Sequence, residues 1–145
     1  MKKLTLFFFL PILSFSQIQV TETTQTNVKV GFYKYSDFNK GDLYYTILKG
    51  DTILMLSYLD ERYPRLQDRK SISFKGGLVK AKEIQTLLTS MYSDENKAKD
   101  NLTFNFKLDE HEITASKVGK MVMFSTNGKG YFTVNKGNIF TLFGR

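Results

Sequence analysis

SISFKGGLVKAKEIQTLLTSMY, Ser71–Tyr92, is the stretch that decides the fold. It reads as a short strand, a glycine pair and then an amphipathic helix. Ala81, Ile84, Leu87, Leu88 and Met91 recur at steps of three and four, which gathers them on one helical face. Lys82, Glu83, Gln85, Thr86 and Ser90 fall on the other side. The spacing predicts a helix over residues 78–92. Lys80 and Lys82 near its start, and Asp94 and Glu95 beyond Tyr92, carry the less favourable signs for the helix dipole. That conflict eases if the helix runs on through 93–100, with Glu95 paired to Lys99 one turn later. Nearly everything on either side reads as strand, so the apolar face of the helix has a sheet as its natural partner.

Working upstream, Val28, Val30 and Phe32 alternate with Lys29 and Gly31, the period of a half-buried strand. Gly31 is a suitable place for a bulge, because the register shifts through Phe32–Tyr35. DFNKGD, 37–42, is expected to turn. LYYTILK (43–49) and TILMLSYL (52–59) flank Gly50-Asp51, a two-residue hairpin signal. The second of these strands is apolar on both faces and so belongs in the middle of the sheet. DERYPRLQDRK, 60–70, holds seven charges and a proline in eleven residues, the composition of a solvated loop.

Downstream, Leu102, Phe104, Phe106 and Leu108 alternate with Thr103, Asn105 and Lys107 in a clear strand pattern. Asp109-Glu110-His111 turns this strand into 112–118, and 121–126 follows. Asn127-Gly128 then closes a hairpin onto 131–134, since both residues accept positive φ. In NKGNIFTLFGR, Asn135 is a good N-cap and Val134 would staple onto Ile139, which favours a short C-terminal helix over a last strand. No internal repeat, heptad array or low-complexity tract is visible. The fold class expected is α+β: an antiparallel sheet of about six to eight strands with one main helix, about 78–92, packed on one face.

The chain has 145 residues, enough for one domain, with 28–145 as its body. MKKLTLFFFLPILSFS, 1–16, has two lysines, an apolar run and a small polar exit, the pattern of a cleavable secretory signal peptide. It resembles bacterial export signals. The apolar run is short of the roughly 20 residues a membrane span needs, and Pro11 interrupts it. Localisation is therefore expected to be secreted or periplasmic. QIQVTETTQTN, 17–27, is an N-terminal arm or a first edge strand. Losing Lys2 and Lys3 with the signal lowers the formal charge from +7 to +5. There is no cysteine, so the exported domain must hold together by packing and hydrogen bonds alone, and a lipoprotein, which carries its lipid on cysteine, is not expected.

Catalytic signatures are scarce. The single histidine is His111, no serine sits in a GxSxG context, and no phosphate-binding GxxxxGK[ST] loop exists. Asp109, His111 and Glu112, with Glu110, form the one ligand-rich cluster. It would suit a divalent cation or a minor hydrolase, yet consecutive strand residues point to opposite faces, and a polar hairpin tip is the favoured reading. Lys80 and Lys82 beside Gly76-Gly77 would suit an anion at a helix start, without the fuller glycine loop such sites use.

Two uneven distributions point instead to binding. Six of the eight tyrosines fall between Tyr33 and Tyr63. Tyr33 and Tyr35 share a face, and Tyr44 is placed to stand across from them. Such a row can stack on sugars or anchor a partner protein, or else pair aromatically at the edge of the core. After Glu112 there is no acidic residue, while Lys117, Lys120, Lys129, Lys136 and Arg145 follow. If Lys117, Lys120 and Lys129 share a face, that face attracts anions; otherwise it keeps the protein soluble. The sequence therefore suggests a small exported, non-enzymatic binding domain using the Tyr-rich or the basic face. Its candidate partners are a protein, a glycan or an anionic surface. No cofactor, specific nucleic-acid partner or membrane span after cleavage is implied. The alternative function is an enzyme centred on His111.

Overall fold

The computed structural model describes residues 26–144; the signal peptide expected at 1–16 and most of the arm expected at 17–27 lie outside the described residues. Four strands come first: β1 (Val28–Tyr35), β2 (Phe38–Leu48), β3 (Asp51–Leu59) and β4 (Arg69–Lys75). Two helices follow, α1 (Gly77–Ser90) and the single turn α2 (Asp94–Lys97). Four more strands, β5 (Thr103–Leu108), β6 (His111–Val118), β7 (Met121–Thr126) and β8 (Gly130–Asn135), lead into α3 (Lys136–Leu142). The fold is α+β with eight antiparallel strands.

The strands divide into two four-stranded sheets, β1-β2-β3-β4 and β5-β6-β7-β8. Each is a simple meander because each connection within it is short, and short connections force neighbouring strands to be antiparallel. Between β4 and β5 the chain leaves the sheet to form α1 and α2, so those two strands do not pair. The order is thus meander then helix, twice over, a repetition of architecture with no echo in the sequence.

Both sheets and both longer helices contribute to one core. Leu43, Leu54, Leu56, Tyr58, Ile72 and Phe74 come from the first sheet. Leu108, Ile113, Ala115, Val122, Phe124, Phe132 and Val134 come from the second. The ring of Phe132 lies 4.8 Å from Tyr58, 5.1 Å from Phe124 and 6.0 Å from Tyr33, centroid to centroid, so it joins the two sheets. Ala81, Ile84, Leu88 and Met91 are buried as their spacing predicts. Leu87 is only half-buried, and the fourth side chain of the stripe within α1 is Gln85, expected on the wet side. Its amide donates to the main-chain oxygen of Gly144, which lets a polar group sit in the interior.

One other expectation is corrected, and the extension of the helix, which its sequence leaves open, is decided. The tight turn falls at Ser36-Asp37, not across 37–42: Ser36 adopts φ 54°, Tyr35 pairs with Phe38, and Asn39, Lys40 and Gly41 belong to β2. The helix does not run through 93–100 either. It ends at Ser90 and restarts as α2, so Asp94 and Glu95 occupy a helix start, where the dipole favours them. Lys99 accordingly bonds to Asn96 through its side chain and does not pair with Glu95. At the C-terminus the helix expected from Asn135 is present, its side chain accepting from the Asn138 N–H at 2.8 Å.

Candidate binding groove

β1 is the irregular strand of the molecule. Among the described residues it stands at the end of its sheet, with β2 on one side only. Its register shifts between Lys29 and Gly31 and again between Tyr33 and Lys34, while every other ladder is unbroken. Gly31 is required here by space. A Cβ at this position would run into the main-chain oxygens of Thr141 and Leu142, so only glycine lets the end of α3 lie against β1.

Two hollows meet along this strand. One, of about 560 Å³, is lined by all of Lys29–Lys34 and, from α3 and the residues after it, by Asn138, Thr141 and Gly144. The other, of about 440 Å³, is bounded by Tyr33, Tyr35, Lys40, Glu61 and Pro64 on one side and by Met121, β8 and Asn138 on the other. They share Tyr33 and Asn138 and form one groove, in the size range of small-ligand sites.

The second shift separates Tyr33 from Tyr35. Tyr33 turns inward, only 4% exposed, its ring against Gly41, while Tyr35 stays 74% exposed. Both still border the same hollow. The Tyr33 hydroxyl is buried and has no hydrogen-bond partner among the described residues. Burial pushes its ionisation well above the ordinary phenol range, the Glu61 carboxylate adds to this, and Arg69 only partly offsets it. The hydroxyl therefore keeps its proton, and leaving it unbonded is costly; the Thr46 hydroxyl on β2 is buried in the same state among the described residues.

Glu61 is held from several directions. Its N–H donates to the Tyr131 oxygen at 2.9 Å, and its carboxylate accepts from the Thr133 hydroxyl at 2.9 Å. The preceding Asp60 is fully buried under Gly130, whose φ of 81° and lack of a Cβ leave room for the carboxylate. Arg62 closes over Asp60 with three side-chain contacts of 2.7–3.1 Å and its own N–H. This charge-assisted bonding holds the Asp60 carboxyl below its usual range, with lesser help from a backbone bond to Tyr131. The β3–β4 loop is thereby clamped to β8, and Glu61 is presented to the groove.

Sequence reasoning named Tyr33 and Tyr35 but missed Lys40, Glu61 and Tyr131, which long-range folding alone brings to them. Tyr44 is not part of the groove. It pairs with Lys29, whose ammonium lies between the Tyr44 and Phe32 rings at 5.6 and 4.7 Å and 2.7 Å from the buried Asp42 carboxylate.

The three lysines expected on a basic face stand apart. Lys117 is 7% exposed, and its ammonium donates to the carbonyls of Asn96 and Lys97 at 3.0 and 2.8 Å, capping the end of α2. Lys120 lies in the β6–β7 turn and Lys129 in the β7–β8 turn, at opposite ends of β7, roughly 20 Å apart by strand rise. Lys129 reaches the Ser71 carbonyl at 3.3 Å.

The acidic cluster is dispersed as well. Asp109 accepts the Lys75 N–H at 2.8 Å, Glu112 pairs with Lys107 at 3.3 Å, and His111 opens β6 opposite Leu108 at the hairpin tip. Among the described residues no three such side chains come together as a metal site. Nor is any helix among them long and apolar enough to cross a membrane. Comparison of the chain with protein-family models, curated proteins and solved structures finds no match.

Proposed function

We propose that this is a small exported, non-enzymatic binding domain whose site is the groove between β1, β8 and α3. The observation that carries this reading is Tyr33, which lines both hollows and whose buried hydroxyl has no hydrogen-bond partner among the described residues. A ligand that accepts from it, or a water the ligand brings, would relieve a standing cost of about 1–3 kcal/mol. The groups around it suit recognition. Tyr35 and Tyr131 offer flat apolar rings with polar tips, and Glu61 and Lys40 supply one charge of each sign. The basic C-terminal face has less support, because Lys117 is spent on α2 and the other two lysines are remote from each other.

The test is capture of a partner or glycan from the exported fraction by the purified protein. Tyr35→Ala combined with Lys40→Ala should abolish capture while leaving the melting temperature within about 2 °C, since both side chains are outside the core. Undiminished capture by that variant would place the site elsewhere.

A further inference from the structure

We propose that the groove takes an extended, acidic peptide segment of a partner protein, added as a fifth strand to the free edge of β1. This rests on the groove being the binding site and names what fills it. The first support is the shape of the lining. Successive side chains of a strand point to opposite faces, so a hollow on one face would touch alternate residues. The hollow beside α3 touches six consecutive ones, Lys29 to Lys34, and so follows the main-chain edge itself. Six residues of strand make a slot roughly 20 Å long.

The second support is the state of that edge. Among the described residues β1 has no strand on its outer side, and none of its main-chain groups bonds to anything outside its own sheet. An incoming strand would meet unpaired N–H and C=O groups, beside the face of β1 on which the end of α3 packs at Gly31. Addition of this kind draws affinity from the main chain and specificity from side-chain pockets. Here the Tyr33–Tyr35 hollow is such a pocket.

Charge selects the occupant. Lys34 and Lys40 flank the groove with no ion-pair partner among the described residues, and the one carboxylate bordering it, Glu61, already accepts from Thr133. An acidic segment is matched; a second copy is not. Two β1 strands paired antiparallel about their centre would set Lys29 of each opposite Lys34 of the other, and like charges directly opposite are destabilising.

The experiment is selection of a displayed random decapeptide library on the purified protein, followed by fluorescence polarisation with the enriched peptides. The expected winners are rich in Asp, Glu and β-branched residues. Proline at alternate positions should weaken them at least tenfold, and Lys34→Glu with Lys40→Glu should do the same. Peptides carrying Lys in place of the acidic residues should bind that charge-reversed variant better than the parent protein.

Winners without acidic bias, or tolerant of proline, would overturn strand addition. If Tyr35→Ala still abolished their binding, the groove would stand as the site. A neutral oligosaccharide that Tyr35→Ala displaces would have the same meaning. Acidic peptides indifferent to every groove variant would overturn both readings. A dimer in sedimentation that Lys34→Glu abolishes would make the occupant a second copy and overturn this one.

Discussion

The two meanders of this protein are built to the same plan and finished differently. In the second, β5 to β8 pair without a single shift of register, and polar partners tie the outer face, Thr114 to Asn105 at 2.9 Å and Thr103 to Ser116 at 3.0 Å. In the first, β2 to β4 are just as regular in pairing, yet β1 is broken twice and carries a glycine pressed on α3. The irregularities gather where the groove is. Bulges and bare edges weaken a sheet, so their concentration on one strand marks a place where the chain gives up local stability for an open surface.

That contrast can be broken most forcefully at the joint between the halves. Phe132→Ala should cost about 3–5 kcal/mol, because the ring is fully buried against residues of both sheets. Urea unfolding followed by tyrosine fluorescence and by far-ultraviolet circular dichroism should still show one transition. Two separated transitions would mean that the meanders are independent units and that their difference teaches nothing about a shared core.

A smaller effect is expected at the clamp that presents Glu61. Asp60→Asn should lose about 1–3 kcal/mol at neutral pH, since Arg62 keeps only part of its bonding. The sign with pH follows from the lowered folded value. Asp60 contributes stability above the ordinary carboxylate range near pH 4, and that contribution fades as pH falls through its folded pKa. Melting temperatures from pH 2 to 7 should therefore converge for parent and variant at the acid end. A constant gap across the range would show that the carboxylate charge is not what holds the loop.

The regular half offers a control. Lys117→Met should cost about 1–3 kcal/mol through the lost cap on α2 and leave groove binding untouched, whereas Lys120→Gln should change stability by less than about 0.5 kcal/mol. Thermal melts beside a binding assay separate the two. Equal small effects would return Lys117 to a surface role. The slightest change, and the most telling, belongs to Tyr33→Phe. Removing an unbonded buried hydroxyl should be neutral or stabilising by up to about 1 kcal/mol, while ligand binding falls. A clear loss of stability would mean the hydroxyl has a partner, and the groove would lose its strongest mark.

Much of the fold was legible because it rests on short-range periodicity. The stripe of α1, the alternation of β5 and the Asn-Gly turn each state their structure within a dozen residues. What escaped was set by distant contacts. Gln85 reads as a solvent residue until Gly144 arrives to accept from it. Lys117 reads as one of a basic cluster until α2 presents its carbonyls. At the groove, Tyr33 and Tyr35 stood out by composition, but their opposite fates come from the register shift between Tyr33 and Lys34, which no local pattern announces. Glu61, within a charge-rich loop, is distinguished only by the buried Asp60 beside it.

The free outer edge of β1 is the claim on which the rest depends, and residue-resolved amide hydrogen exchange of the unliganded protein tests it most directly. Along Val28–Tyr35 the exchange should alternate, slow where the N–H points to β2 and fast where it points into the groove. Uniform protection of all those amides would show that the edge is already covered, and an open binding strand would be contradicted.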